Sequence, residues 1–159
     1  MGSPVGLLEL VERDGALVAI HFDAAPDGTS GTERGGSPVL TEAHRQLSDY
    51  FAGRRRVFDL PLRPSGTDFQ RRVWALLSDV PWGRTITYGS IASDLGLPPG
   101  ASRAVGAANG ANPVPVVVPC HRVIGADGTL TGYAGGLARK ATLLRLEGVP
   151  TENDQGSLF

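Results

Sequence analysis

The chain has 159 residues, 41% hydrophobic and 19% charged, with a formal net charge of −1; that composition suits one domain or two small ones sharing a core and excludes wholesale disorder. A single cysteine excludes an internal disulfide and a cysteine-rich zinc site, and His21, His44 and His121 lack metal-ligand spacing, so no metal is expected. No apolar run has the length of a membrane span and Met1-Gly2-Ser3-Pro4 lacks the features of a secretory signal, so the expected location is the cytoplasm.

In chain order, residues 6–11 and 16–22, joined at Arg13-Asp14-Gly15, read as a β-hairpin. Residues 23–36 are rich in Gly, Asp, Ser and Thr and read as a loop. Ser37 offers a helix N-cap ahead of Pro38, and Val39, Ala43, Leu47, Tyr50 and Phe51 recur at helical spacing until Gly53. Residues 57–60 read as a short strand. Residues 1–66 are thus expected to form an α+β domain, and they carry no catalytic motif.

Thr67-Asp68-Phe69-Gln70 has the form of a capping box and opens a helix through Leu77, with Phe69, Val73, Leu76 and Leu77 as its buried stripe. Beyond Pro81-Trp82-Gly83 and Thr85-Ile86-Thr87-Tyr88, a helix over 90–95, a Gly-Pro turn and a helix over 101–108 satisfy the helix-turn-helix pattern. The second of these helices offers one charge, Arg103, among Ala101, Ala104, Gly106, Ala107 and Ala108. Small side chains allow the close backbone approach that suits a DNA minor groove. The same residues also fit a helix whose Ala and Gly face neighbouring helices. Residues 68–147 hold eight basic side chains against five acidic ones, which permits DNA binding without demanding it.

The run Pro119-Cys120-His121-Arg122-Val123 places the only cysteine beside a histidine. A thiol attacks well only as its thiolate, and an imidazole can take the proton, although an isolated buried cysteine is more often an inert packing residue. Around this run stand Thr87-Tyr88, Arg103-Ala104-Val105-Gly106, Asn112-Pro113-Val114-Pro115, Gly132-Tyr133-Ala134-Gly135-Gly136 and Leu146-Glu147-Gly148. In this order and spacing the pieces resemble the O6-alkylguanine-DNA alkyltransferases of the bacterial single-function type, which move an alkyl group from DNA onto their own cysteine.

The resemblance implies an α+β fold: a small ribonuclease H-like amino-terminal domain (1–66), then a mostly helical, winged-helix-like helix-turn-helix domain carrying the cysteine (67–149), then a flexible tail (150–159). It implies that Cys120 accepts the alkyl group of O6-alkylguanine, and of O4-alkylthymine, once and irreversibly, with no cofactor. His121 draws the thiol proton through a water and Glu147 orients the imidazole, the logic of a hydrolase triad. Asn112 ties the helix-turn-helix to the active-site turn, though an Asn before Pro113 also suits a plain turn. Tyr88 donates to the departing base and lies against phosphate, and Lys140 supports the site. Backbone amides at Tyr133 and Ala134 meet the guanine oxygen, carbonyls at Cys120 and Val123 accept from its amine, and Pro115 and Tyr133 wall the alkyl pocket. Some relatives have a serine where Ala134 stands, so a hydroxyl contact is missing here.

The partner implied is double-stranded DNA, bound through the minor groove by Ala101, Arg103, Ala104 and Gly106. The damaged base must leave the stack. Arg103 fills its place, the alternative being a simple phosphate contact. Cooperative self-association on DNA also follows from the resemblance. In the tail, Gln155, Leu158 and Phe159 resemble the anchors of sliding-clamp-binding peptides. Two other readings stay open: a Cys-His hydrolase that turns over repeatedly, and a lesion sensor whose Cys120 stays unmodified.

Overall fold

In the computed structural model, which describes residues 1–23, 37–130, 132–133 and 135–151, the chain opens with strands β1 (Leu8–Arg13) and β2 (Ala16–Phe22), paired antiparallel. Asp14 and Gly15 between them both have positive φ, 52° and 80°, the sign pattern of a type I′ turn, whose twist matches that of the strands. The register slips between Val11 and Glu12, a bulge that bends the hairpin. Helix α1 (Pro38–Phe51) packs against both strands. Ser37 caps it by accepting from Leu40 N at 3.3 Å. Its end is closed by Gly53, where Gly53 N bonds to Tyr50 O and Arg54 N to Asp49 O, a Schellman motif that needs the positive φ of 78° found there.

The expected strand over 57–60 does not form. The Gln46 side chain takes both backbone groups of Asp59, at 2.9 Å each, so these are withdrawn from any ladder. Pairing begins one step later, where Leu17 bonds to the chain at Pro61 and Arg63 through an isolated parallel bridge to Leu62. The first compact unit comprises Met1–Ser65 together with Pro113–Pro115, the latter joined by a bond from Ile20 N to Pro113 O at 2.9 Å.

The second unit holds Gly66–Asn112 and the chain from Val116 on. Helix α2 (Asp68–Ser78) starts in the expected capping box, with Gln70 N donating to Thr67 Oγ1 and Thr67 N to Gln70 Oε1. Its buried residues are Val73, Trp74 and Leu77; Phe69 and Leu76 are only half-buried. Strand β3 (Ile86–Thr87) leads directly into α3 (Tyr88–Asp94), and a single 3-10 turn (Pro99–Ala101) precedes α4 (Ser102–Gly110). These two helices pack together as the helix-turn-helix, with α2 behind α4. Trp74 Nε1 donates to Ala108 O at 2.8 Å and fixes that packing. A 3-10 turn at Cys120–Arg122 runs into β4 (Val123–Ile124), which pairs in parallel with β3. Helix α5 (Leu137–Leu146) ends at Glu147, with Gly148 at φ 79°. Among the described residues no helix is long and apolar enough to cross a membrane.

Candidate active site

All the chemistry lies in the second unit, where three segments meet: the end of α4, the turn at Cys120 and the end of α5. Cys120 is 4% exposed and His121 fully buried. The turn is held from both sides. Cys120 N bonds to Val118 O at 2.8 Å, and Asn112 Nδ2 donates to the same carbonyl at 2.8 Å. The Cys120 carbonyl accepts from Val123 N, which closes the turn, and from Asn109 Nδ2 at 3.3 Å.

Glu147 stands at the carboxyl end of α5, where a negative charge faces the unfavourable end of the helix dipole. Two partners compensate. Arg122 Nε donates to Glu147 Oε1 and Nη2 to Oε2, both at 2.8 Å, and His121 Nε2 shares Oε2 at 2.8 Å. Arg122 Nη1 donates to Val80 O at 2.6 Å, so the guanidinium is satisfied while buried. Burial alone would raise the Glu147 carboxyl, but the bonds from His121 and Arg122 prevail and hold it at about 2. An ionised Glu147 can only accept, so Nε2 of His121 carries the proton and Nδ1 offers a lone pair. Nδ1 is buried and has no hydrogen-bond partner among the described residues. Burial pushes the His121 imidazole below its ordinary range despite Glu147, so the ring rests neutral.

Burial also pushes the Cys120 thiol up, while hydrogen bonds with Asn112 and Tyr133 and the charge of Lys140 pull it back. Lys140 lies on α5 with its side chain fully buried, and that burial brings its ammonium down to about 8. Burial thus favours a neutral thiol and a neutral imidazole, with the Lys140 cation in range of both.

Beside these groups a cleft of about 540 Å³ is lined by Tyr88, Ser102, Arg103, Gly106, Gly110, Gly132 and Tyr133. Tyr88 lies so near α4 that a Cβ on Gly106 would stand 3.7 Å from its ring. Arg103, Ala104, Ala107 and Gly110 are turned away from the core to differing degrees, whereas Val105, Ala108 and Asn109 face inward. The small residues at 104 and 107 therefore point outward rather than into a helix contact.

Of the candidate residues, the structure gathers Cys120, Asn112, Tyr133 and Lys140 around the thiol and links His121 to Glu147. Tyr88, Arg103, Gly106 and Tyr133 share the cleft, and Ala101 is half-buried in the turn before α4. Val123 is buried in β4. Pro115 is buried and belongs to the first unit; it is not among the residues lining this cleft. Ala134, Gln155, Leu158 and Phe159 lie outside the described residues, as does most of the loop at 23–36. Sequence reading missed Asn109 and gave Arg122 no role. The arginine sits inside the Cys-His run itself, so an unassigned charge there was the available signal.

A buried cysteine with a histidine–carboxylate pair behind it, set under a helix-turn-helix, defines a DNA-binding protein built around a nucleophilic thiol. The chain belongs to the 6-O-methylguanine DNA methyltransferase family, whose ribonuclease-like domain matches residues 1–64 and whose DNA-binding domain matches residues 68–149. It is 59% identical over 152 residues to a methylated-DNA–protein-cysteine methyltransferase of Methanosarcina acetivorans, covering 92% of this chain and 94% of that one. A protein of the same description from Mycolicibacterium paratuberculosis is 51% identical over 148 residues, covering 91% and 88%. The crystal structure of Mycobacterium tuberculosis OGT in complex with DNA superposes with a TM-score of 0.83 at 47% identity, covering 93% and 90%.

Proposed function

We propose that this protein repairs DNA by direct reversal, moving the alkyl group of O6-alkylguanine, and of O4-alkylthymine, onto Cys120. The observation that carries this reading is the buried Cys120, with Asn112, Tyr133 and the Lys140 cation acting on its thiol and a neutral His121, backed by Glu147, next to it in the chain. In the reaction the sulfur–carbon bond forms as the carbon–oxygen bond to the base breaks. The thiol proton passes through a water to Nδ1 of His121, and Glu147 stabilises the resulting imidazolium. The departing purine anion takes a proton from Tyr88. The thioether has no route back to a thiol in this site, so each molecule reacts once and needs no cofactor.

Residues 67–149 form the transferring domain and 1–66 the amino-terminal one. The outward face of α4, with Arg103, Ala104 and Gly106 and with Ala101 just before it, enters the minor groove. Arg103 occupies the place of the extruded base, whose removal from the stack costs about a few kcal/mol. The base then meets the amides at Tyr133 and Ala134 and the carbonyls of Cys120 and Val123, with Tyr133 walling the alkyl group. Because Cys120 O already accepts from Val123 N and Asn109 Nδ2, the Val123 carbonyl takes the larger share of the exocyclic amine. The tail anchors Gln155, Leu158 and Phe159 dock on a sliding clamp, a reading that rests on sequence alone. Deleting residues 155–159 then abolishes clamp binding and spares transfer; unchanged clamp binding refutes it. Cooperative assembly on DNA would show as a Hill coefficient above one in binding curves on long duplexes.

The test of function is a titration of protein into duplex containing O6-methylguanine. Loss of the lesion at one equivalent per protein, then no more, is the expected result. Lesion binding without loss defines a sensor. Repeated turnover on a simple ester, with the lesion untouched, defines a hydrolase.

A further inference from the structure

From these contacts we infer that Asn109 is a positioning residue for alkyl transfer, one that anchors the backbone of the nucleophile to α4. The inference rests on the transfer reading above. Asn109 occupies the last turn of α4 and is 2% exposed. Its Nδ2 donates to the carbonyl of Cys120 itself at 3.3 Å. Three residues on, Asn112 Nδ2 donates to Val118 O at 2.8 Å. The two amides thus hold carbonyls on either side of Cys120 N, and two points fix the rotation of a short turn where one leaves it free. Reacting atoms misplaced by about 1 Å can cost on the order of a hundredfold in rate.

The chemistry of the amide argues against a role in folding alone. Its Oδ1 is buried and has no hydrogen-bond partner among the described residues, and an unmet buried acceptor weakens a fold. An apolar side chain would fill that place at lower cost. Nor does the reverse orientation of the amide relieve it, since Oδ1 would then face the Cys120 carbonyl, acceptor against acceptor. What the amide supplies is a side-chain bond to the nucleophile's carbonyl, beside the backbone bond from Val123 N. The same helix turns Arg103, Ala104 and Ala107 outward, so the element that meets DNA is bonded directly to the residue that reacts.

The test compares wild type, Asn109→Ala and Asn109→Asp in single-turnover reactions with an O6-methylguanine duplex. The half-saturating duplex concentration and the limiting transfer rate are read separately, after thermal unfolding has shown each variant folded. For Asn109→Ala the limiting rate should fall about tenfold, with half-saturation within twofold and the pH-rate profile unmoved, since the amide does not touch sulfur. Asn109→Asp, isosteric but offering a carboxylate to a carbonyl, should be slower still and should shift the profile to higher pH. If both variants transfer within twofold of wild type, or if rate and half-saturation worsen by the same factor, the inference is overturned. If only Asn109→Asp folds, its profile decides: no alkaline shift and no rate loss overturns it. Should wild type itself fail to transfer, the functional reading fails first.

Discussion

Arg122 grips both oxygens of Glu147 in a buried fork, Nε to Oε1 and Nη2 to Oε2 at 2.8 Å each. This pairing keeps the carboxylate ionised and in place for His121, which shares Oε2. Breaking one side of a buried pair leaves an uncompensated charge, so Arg122→Met should destabilise the fold by about 3–5 kcal/mol. The double variant Arg122→Met/Glu147→Gln removes that charge and should recover part of the loss. Urea unfolding of wild type, the two single variants and the double measures the coupling; additive effects would show that the fork contributes nothing specific.

Acid should unfold this protein through the same groups. The Glu147 carboxyl sits at about 2 against 4.5 for an unperturbed one, so the folded state resists its protonation. The stabilisation is complete above about pH 4.5 and is lost as pH falls from there toward 2. Burial lowers His121 from 6.5, and a depressed imidazole likewise favours the fold above its unfolded value and loses that contribution below it. Stability measured by urea midpoint should therefore decline below about pH 6.5 and more steeply below 4.5. Glu147→Gln should be less stable at neutral pH and should flatten the lower limb; an unchanged lower limb would assign the acid sensitivity elsewhere.

Burial raises the Cys120 thiol, and the Lys140 charge, after the hydrogen bonds with Asn112 and Tyr133, counters part of that rise. Replacing Lys140 by Met keeps much of the volume and removes the charge, so the thiol should ionise less readily. Transfer at neutral pH should slow about tenfold, the loss of about 1.4 kcal/mol of preference for the thiolate. The alkaline limb of the pH-rate profile should move up. A slower reaction with an unmoved profile would mean that Lys140 acts by packing.

Gly106 separates stability from recognition. A Cβ there meets the Tyr88 ring at 3.7 and 3.8 Å, ordinary contact distances, and alanine is the better helix former by about 1 kcal/mol. Gly106→Ala should thus unfold at the same or higher temperature. Since Gly106 also lines the cleft with Tyr88 and Arg103, lesion-duplex affinity should weaken several-fold, and Gly106→Leu should weaken it far more while remaining folded. Unimpaired binding by the leucine variant would remove this face of α4 from the DNA contact.

What the sequence made legible was local chemistry. Asp14-Gly15 announces its hairpin, Thr67 and Gln70 their capping box, and Gly53 the end of its helix, because each signal lies within a few residues of its effect. The Cys120-His121 pair and Glu147 were legible through motif order. The long-range bonds were not. Arg122 reaches Val80 across 42 residues and Trp74 reaches Ala108 across 34, and no period or propensity encodes either. Gln46 cancelled a plausible strand by taking the backbone of Asp59, a contact that a β-favouring run gives no hint of. Asn109 was hidden for the same reason: in an Ala-Gly helix it reads as one more small polar residue until its neighbour across the fold is known.

The most direct measurement is the mass of the intact protein after mixing with a duplex holding one O6-methylguanine, beside a Cys120→Ala control. Direct reversal predicts a gain of one methylene unit, mapped to Cys120, with unmodified guanine restored in the DNA and no gain in the control. An unchanged mass on a protein still bound to the lesion would contradict it.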